Sequence, residues 1–127
     1  LEGVQNYHVL YLAAEAKGKG ITKYDYLNVK NAKAVEWAKF PSTVQQLETA
    51  MAAIPELAAM QDGVWRVLLS ILELGNVKFK GSGDDDAVFA GFDEINAAGK
   101  LLGSEGELLY KAICTLNIKA GLDWIAK

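Results

Sequence analysis

Apolar side chains recur at helical intervals along much of this 127-residue chain, most plainly over residues 64–81. Counted from Val64, the residues Val67, Leu68, Ile71 and Leu72 follow the i, i+3, i+4, i+7, i+8 spacing of one helical face. Trp65, Leu69 and Leu74 widen that face, and Arg66, Ser70 and Glu73 form its only polar stripe. The pattern predicts a helix nearly surrounded by the rest of the chain. It should end where Gly75 and Asn76 take the left-handed conformation that lets the last carbonyls find partners.

Other elements fall into place around it. A helix over residues 4–15 gathers Val4, Tyr7, Tyr11 and Leu12 on one face, with His8 beside them and Val9 and Leu10 on the flank. It stops before the flexible basic turn Lys17-Gly18-Lys19-Gly20. Tyr24-Asp25-Tyr26-Leu27-Asn28 reads as an aromatic anchor, and Ala34-Val35-Glu36-Trp37 as a brief strand. Ser42 and Thr43 supply capping hydroxyls for a second helix over residues 43–54, which buries Val44, Leu47, Met51 and Ile54 and is interrupted by Pro55. A turn over residues 56–60 then leads to Asp62 as the cap of the central helix, and residues 78–83 form a loop.

Asp84-Asp85-Asp86 precedes a further periodic segment, with Val88, Phe92, Ile95, Gly99 and Leu102 on one side, and would favour the positive end of its dipole. Gly103-Ser104 separates it from a helix that faces Leu108, Leu109, Ala112, Ile113 and Leu116 inward. Residues 116–127 read as strand, turn and strand. The expected fold is mainly α, a compact bundle of about five helices with a small C-terminal β-hairpin, forming a single domain over residues 1–127.

Composition fits that picture: at 51% hydrophobic residues the chain can form an independent core. The net charge of −3 makes it a poor match for nucleic-acid backbones or anionic membranes. Lys17, Lys19, Lys23, Lys30, Lys33 and Lys39 crowd the early part, while acidic residues crowd the late part. Two solvated faces of opposite sign explain this more simply than a charge-steered partner. Cys114 is the sole cysteine, so no internal disulfide forms, and a reducing, cytoplasmic setting is expected. No apolar run reaches the roughly 20 residues needed to cross a bilayer. A start at Leu1-Glu2 without methionine reads as a processed, excised or engineered piece.

Catalytic and cofactor motifs find little support. A phosphate-cradling G-x-x-x-x-G-K-[ST] loop is missing, since Leu101 follows Gly99-Lys100 and Glu94 stands where the first glycine belongs. One His and one Cys exclude a paired-histidine or Cys-x-x-Cys zinc site. Asp84-Asp85-Asp86 lacks the spacing of a calcium loop and reads better as a helix cap. His8 reads as a hydrogen-bonded residue in or near the core, Cys114 as a small buried hydrophobe, and Trp37, Trp65 and Trp124 as packing residues. No catalytic, cofactor-binding or metal residue is expected.

The wording of several stretches is nevertheless specific. Ile71-Leu72-Glu73-Leu74-Gly75-Asn76-Val77, followed by Phe79, resembles the "I-L-x-L-G-N-[IV]-x-F" run of myosin motor heads. Asn6-Tyr7-His8-Val9-Leu10-Tyr11 is similar to the family's "N-Y-H-I-F-Y" helix after switch I, and Tyr26-Leu27-Asn28 matches its "Y-L-N". Glu48-Thr49-Ala50-Met51 stands where the family has an "A-M" helix. Residues 97–103 resemble "A-A-x-L-L-G", and residues 108–113 resemble "E-L-x-K-A-L". Residues 118–125 then resemble the start of the cardiomyopathy loop.

The resemblance, closest to class II myosins, implies an upper actin-binding-region subdomain, from the helix after switch I to that loop. It implies a cytoskeletal location and actin as a partner, with Lys119, Trp124 and Lys127 as contact residues. It also implies that the P-loop, switch I and switch II of the motor lie outside these residues, so no ATP-driven stroke is expected.

Departures are equally informative. Leu1-Glu2-Gly3-Val4-Gln5 replaces the usual "G-E-R" approach, Glu73 replaces a customary His, and Cys114-Thr115-Leu116-Asn117 replaces a polar or arginine-containing turn. Alanine pairs at 13–14, 52–53, 58–59 and 97–98 raise helix propensity without needing a partner. The expectation is an excised and redesigned helical fragment without catalytic activity. A weak actin-binding module is the alternative, and a nucleotide-binding enzyme a third reading. Surfaces left bare by excision are expected to allow self-association, with the first helix, at Val9 and Leu10, as the foremost candidate.

Overall fold

The computed structural model describes residues 6–28, 40–81, 87–89, 91–114, 117–120 and 123–126. Within them the chain is mainly helical, with five helices: α1 (His8–Ala16), α2 (Val44–Ala52), α3 (Pro55–Gly75), α4 (Asp93–Leu102) and α5 (Gly106–Cys114). A single 3-10 turn, Ile21–Lys23, follows α1. The strand expected over residues 34–37 lies outside the described residues, as does the Asp84-Asp85-Asp86 cap.

α3 is the element shared by all three parts of the core. Leu69 and Leu72 join Leu10, Tyr11 and Ala14 of α1 with Tyr24 and Leu27. One turn earlier, Trp65 meets Leu12 and Ala13 on the other side of α1, with Phe40, Val44 and Leu47 packed around them. At its far end Leu74 and Val77 pack against Ile95 of α4 and against Leu109, Tyr110 and Cys114 of α5. α1 is therefore enclosed from Leu10 to Ala14 and is not the bare surface that its composition suggested.

The central helix is longer than its pattern indicated, and it is not surrounded. Pro55 starts α3 rather than merely ending α2, because a proline in the first turn gives up an amide that has no partner there anyway. Residues 56–62, read as a turn and a cap, are its first two turns, and Asp62 pairs with Lys17 at 3.6 Å. The buried face is Trp65, Leu69 and Leu72, with Ser70 and Glu73 alongside; Val67 is 49% exposed and Ile71 40%. Spacing alone cannot say which of two apolar stripes meets the core.

The helix ends are held by local chemistry. Thr43 caps α2 in a reciprocal box: its hydroxyl accepts from the Gln46 amide at 3.2 Å, and the Gln46 side chain accepts from the Thr43 amide at 2.9 Å. α1 and α4 both close with a glycine at positive φ, Gly18 at 62° and Gly103 at 73°. In each, the next residue's amide reaches back to a carbonyl inside the last turn, Lys19 to Ala14 and Ser104 to Gly99. α3 differs from expectation: Asn76 is right-handed, with φ −85° and ψ −13°.

α1 starts at His8, so Tyr7, expected on the inner face, is exposed. α4 starts at Asp93, not near Val88. Ala87–Phe89 is instead extended and lies antiparallel to Phe79–Gly81, which was expected to be loop. Asp93 and Glu94 supply the negative charge for its positive end. The buried side of α4 is Ile95, Ala98 and Gly99, leaving Phe92 and Leu102 exposed. α5 turns only Gly106, Leu109, Tyr110 and Cys114 toward its neighbours; Leu108, Ala112 and Ile113 are exposed because nothing described covers that side. Ile54, expected in the core, lies exposed in the break between α2 and α3.

Candidate functional site

The densest polar chemistry sits where the C-terminal end of α3 grips residues 21–28. The buried Glu73 carboxylate accepts from the Tyr24 hydroxyl at 3.2 Å and from the Lys23 ammonium at 3.3 Å, both on Oε1. Burial, the neighbouring Glu73 charge and that hydrogen bond push the Tyr24 phenol up to about 12 from 10.0. Three residues on, the Asn76 side chain accepts from the Asp25 amide at 2.8 Å and donates to the Lys23 carbonyl at 2.9 Å, so one amide group satisfies two backbone groups of the gripped segment. Lys78 pairs with Asp25.

Gly75 completes this grip by its size. A Cβ there would lie 2.7–2.9 Å from the Tyr26 ring, so the aromatic face rests directly on helix backbone. The "L-G-N" and "Y-L-N" stretches thus touch each other. Glycine is needed here for close approach, not for a left-handed turn.

A second close approach joins α4 to α5. Cβ atoms added at Gly99 would meet Gly106 and Ser104 backbone at 3.0 Å, and one at Gly106 would fall 1.9 Å from Asn96 Oδ1. Arg66 ties α3 to this pair by donating from Nε to the Leu101 carbonyl at 2.7 Å. Around it lies an open cavity of about 460 Å³ lined by Lys17, Lys19, Arg66 and Lys100 over Leu69 and Leu101. The lysine run in the sequence hinted at its basic character, but nothing in the spacing brings Arg66 and Lys100 to it. Those cations stand near the C-terminal ends of α1 and α4, where they offset the negative end of each dipole.

A third feature is apolar. Ala59, Met60, Gly63, Val64, Val67 and Leu68 line an open groove of about 460 Å³ along the outer side of α3.

The remaining sequence candidates separate. His8 is exposed and stacks on Phe40 with ring centroids 4.3 Å apart, so it is not a core histidine. Trp65 is buried and donates from Nε1 to Glu48 at 3.1 Å, while Trp37 lies outside the described residues. Cys114 is half-buried. Lys127 and the side chains of Lys119 and Trp124 also lie outside them, so the three residues taken as actin contacts are not brought together or parted. Among the described residues no three of His, Cys, Asp and Glu gather closely enough for a metal ion, and no helix is long and apolar enough to cross a membrane. What this arrangement does chemically is hold a segment in place: Glu73, Asn76 and Arg66 are each spent on backbone or side-chain ties within the chain.

Comparison with known proteins gives this geometry a context. A family model for the myosin head (motor domain) matches residues 2–127. Myosin-4 of Arabidopsis thaliana is 26% identical over 135 aligned residues, which cover 98% of this chain and 12% of the relative. Myosin-2 of the same plant is 27% identical over 135, covering 98% and 11%. Myosin-7 is 26% identical over 123, covering 87% and 7%. The chain spans about a tenth of the length of the first two relatives.

Proposed function

The chain belongs to the myosin head (motor domain) family, and from that premise we propose that these residues act as a stand-alone helical piece of a motor head, a single redesigned domain without catalysis of its own. The observation that carries this reading is the family match over residues 2–127 combined with the internal use of the polar groups at the end of α3. A motor needs phosphate, metal and water positioned in one site; Glu73, Tyr24 and Asn76 are instead engaged in holding residues 21–28. Redesign is supported by the alanine pairs. Ala13, Ala14 and Ala98 fill the core, whereas Ala52, Ala58 and Ala59 are exposed within helices, where alanine contributes helix propensity. A natural reading frame carrying this sequence beside an intact phosphate loop would overturn redesign.

The direct test is a thermal shift with millimolar Mg-ATP together with a turnover assay. Ligand binding to the folded state must raise its stability, so an unchanged melting curve without phosphate release is the expected result. A shift or turnover by the purified chain would contradict it.

Weak actin binding is the second reading, located at a C-terminal hairpin with Lys119, Trp124 and Lys127 as contacts. What favours it is the family match, which runs on through residues 118–127. One hairpin buries far less than the roughly 1,200–2,000 Å² of a stable interface, so filaments should pellet little of the chain, and only at low salt. Loss of that pelleting in a Lys119→Ala/Lys127→Ala variant would support the contact; equal pelleting by the variant would remove it. The same reading brings a cytoskeletal location, and self-association through apolar surface that a complete head would cover.

A further inference from the structure

The outer side of α3 carries a pattern that the core does not use. Leu57, Met60, Val64, Val67 and Ile71 follow the alternating three- and four-residue spacing of a coiled-coil seam. Four of the five are exposed, Met60 the most at 58%. Ala59 and Gly63, one turn apart, keep the floor shallow, and nothing lies within 4 Å of where a Gly63 side chain would begin. A helix could therefore approach the backbone closely.

We propose that this seam seats the same helix of a second copy of the chain, running antiparallel about a twofold axis at Val64. The seam is complementary to itself in that direction. Inversion about Val64 exchanges Leu57 with Ile71 and sets Met60 opposite Leu68, which lines the same groove, so the contact is isologous. No charged residue lines the groove, so two copies of net charge −3 meet there without opposing like charges. A single helix seam is at the small end of interface sizes, so the dimer forms in a concentration-dependent way. This gives the self-association of the preceding reading a specific seat and rests on it; it is independent of actin.

Sedimentation of the whole chain over a wide concentration range should show the mass rising from 13.7 kDa toward twice that value. The Met60→Glu/Val67→Glu variant, altered only at exposed positions, should keep its unfolding midpoint while its dissociation constant weakens at least tenfold. In a Cys114→Ser background, Val64→Cys should cross-link to itself under mild oxidation. Leu57→Cys should do so only when mixed with Ile71→Cys. A monomer at every concentration would remove self-association altogether. A dimer indifferent to the double variant would leave self-association standing but move it off α3. Self-linking of Leu57→Cys alone would overturn the antiparallel arrangement.

Discussion

The two sides of α3 are made of the same kinds of residue and have opposite fates. The inner side, Trp65, Leu69 and Leu72, is closed over by α1 and residues 24–27, while the outer side leaves Val67 and Ile71 exposed. Hydrophobicity does not distinguish them; the polar and small residues between them do. Glu73, Gly75 and Asn76 fit residues 23–26 and nothing else, and Arg66 reaches the end of α4. In this helix the apolar stripes supply the driving force for burial, and the few specific contacts select the stripe that is buried.

The largest expected effect comes from breaking the inner side. Leu72→Ala removes a fully buried side chain and should destabilise by about 2–5 kcal/mol, whereas Val67→Ala on the outer side should stay within about 0.5 kcal/mol; urea unfolding of the pair measures both. Gly99→Ala forces a methyl group onto the backbone of Gly106 and Ser104 and should cost about 1–3 kcal/mol, read as a lower melting temperature. Asn76→Ala removes two side-chain hydrogen bonds to an exposed turn, where water can replace them, and should cost about 0.5–1.5 kcal/mol by the same assay.

The smallest effect sharpens the comparison by pH. The Tyr24 phenol is raised in the folded state, so it remains protonated while an unfolded tyrosine ionises near 10.0. Its contribution is fully present below pH 10 and is lost as the pH climbs from 10 to about 12. Absorbance titration of phenolate should show a late component from Tyr24 in the folded chain. That late component should vanish in Tyr24→Phe.

Much of this was legible in the sequence, because repetition and punctuation are local. The periodicity of residues 64–74 located the central helix, Thr43 announced the start of α2, and Gly18 and Gly103 marked the ends of α1 and α4. Orientation was not legible. Val64, Val67 and Ile71 share a face with the correct spacing, but the partner surfaces that decide burial are 40–60 residues away along the chain. Glu73 and Ser70 read only as part of a polar stripe, and their burial was not legible for the same reason: a carboxylate is buried here only because Tyr24 and Lys23 come to meet it. Pro55 read only as the interruption of one helix, because a proline's missing amide stops a helix and suits the first turn of another equally well; it stands in the first turn of α3. The basic cavity escaped notice because Lys17, Arg66 and Lys100 converge only in three dimensions.

Hydrogen exchange at the Asp25 amide tests most directly whether the end of α3 holds residues 21–28. That amide lies in an exposed turn and donates only to the Asn76 side chain. It should be protected in the intact chain and exchange freely in Asn76→Ala, while the α3 amides around Leu72 stay slow in both. An Asp25 amide that exchanges at the unprotected rate in the intact chain, with α3 still slow, would contradict the account.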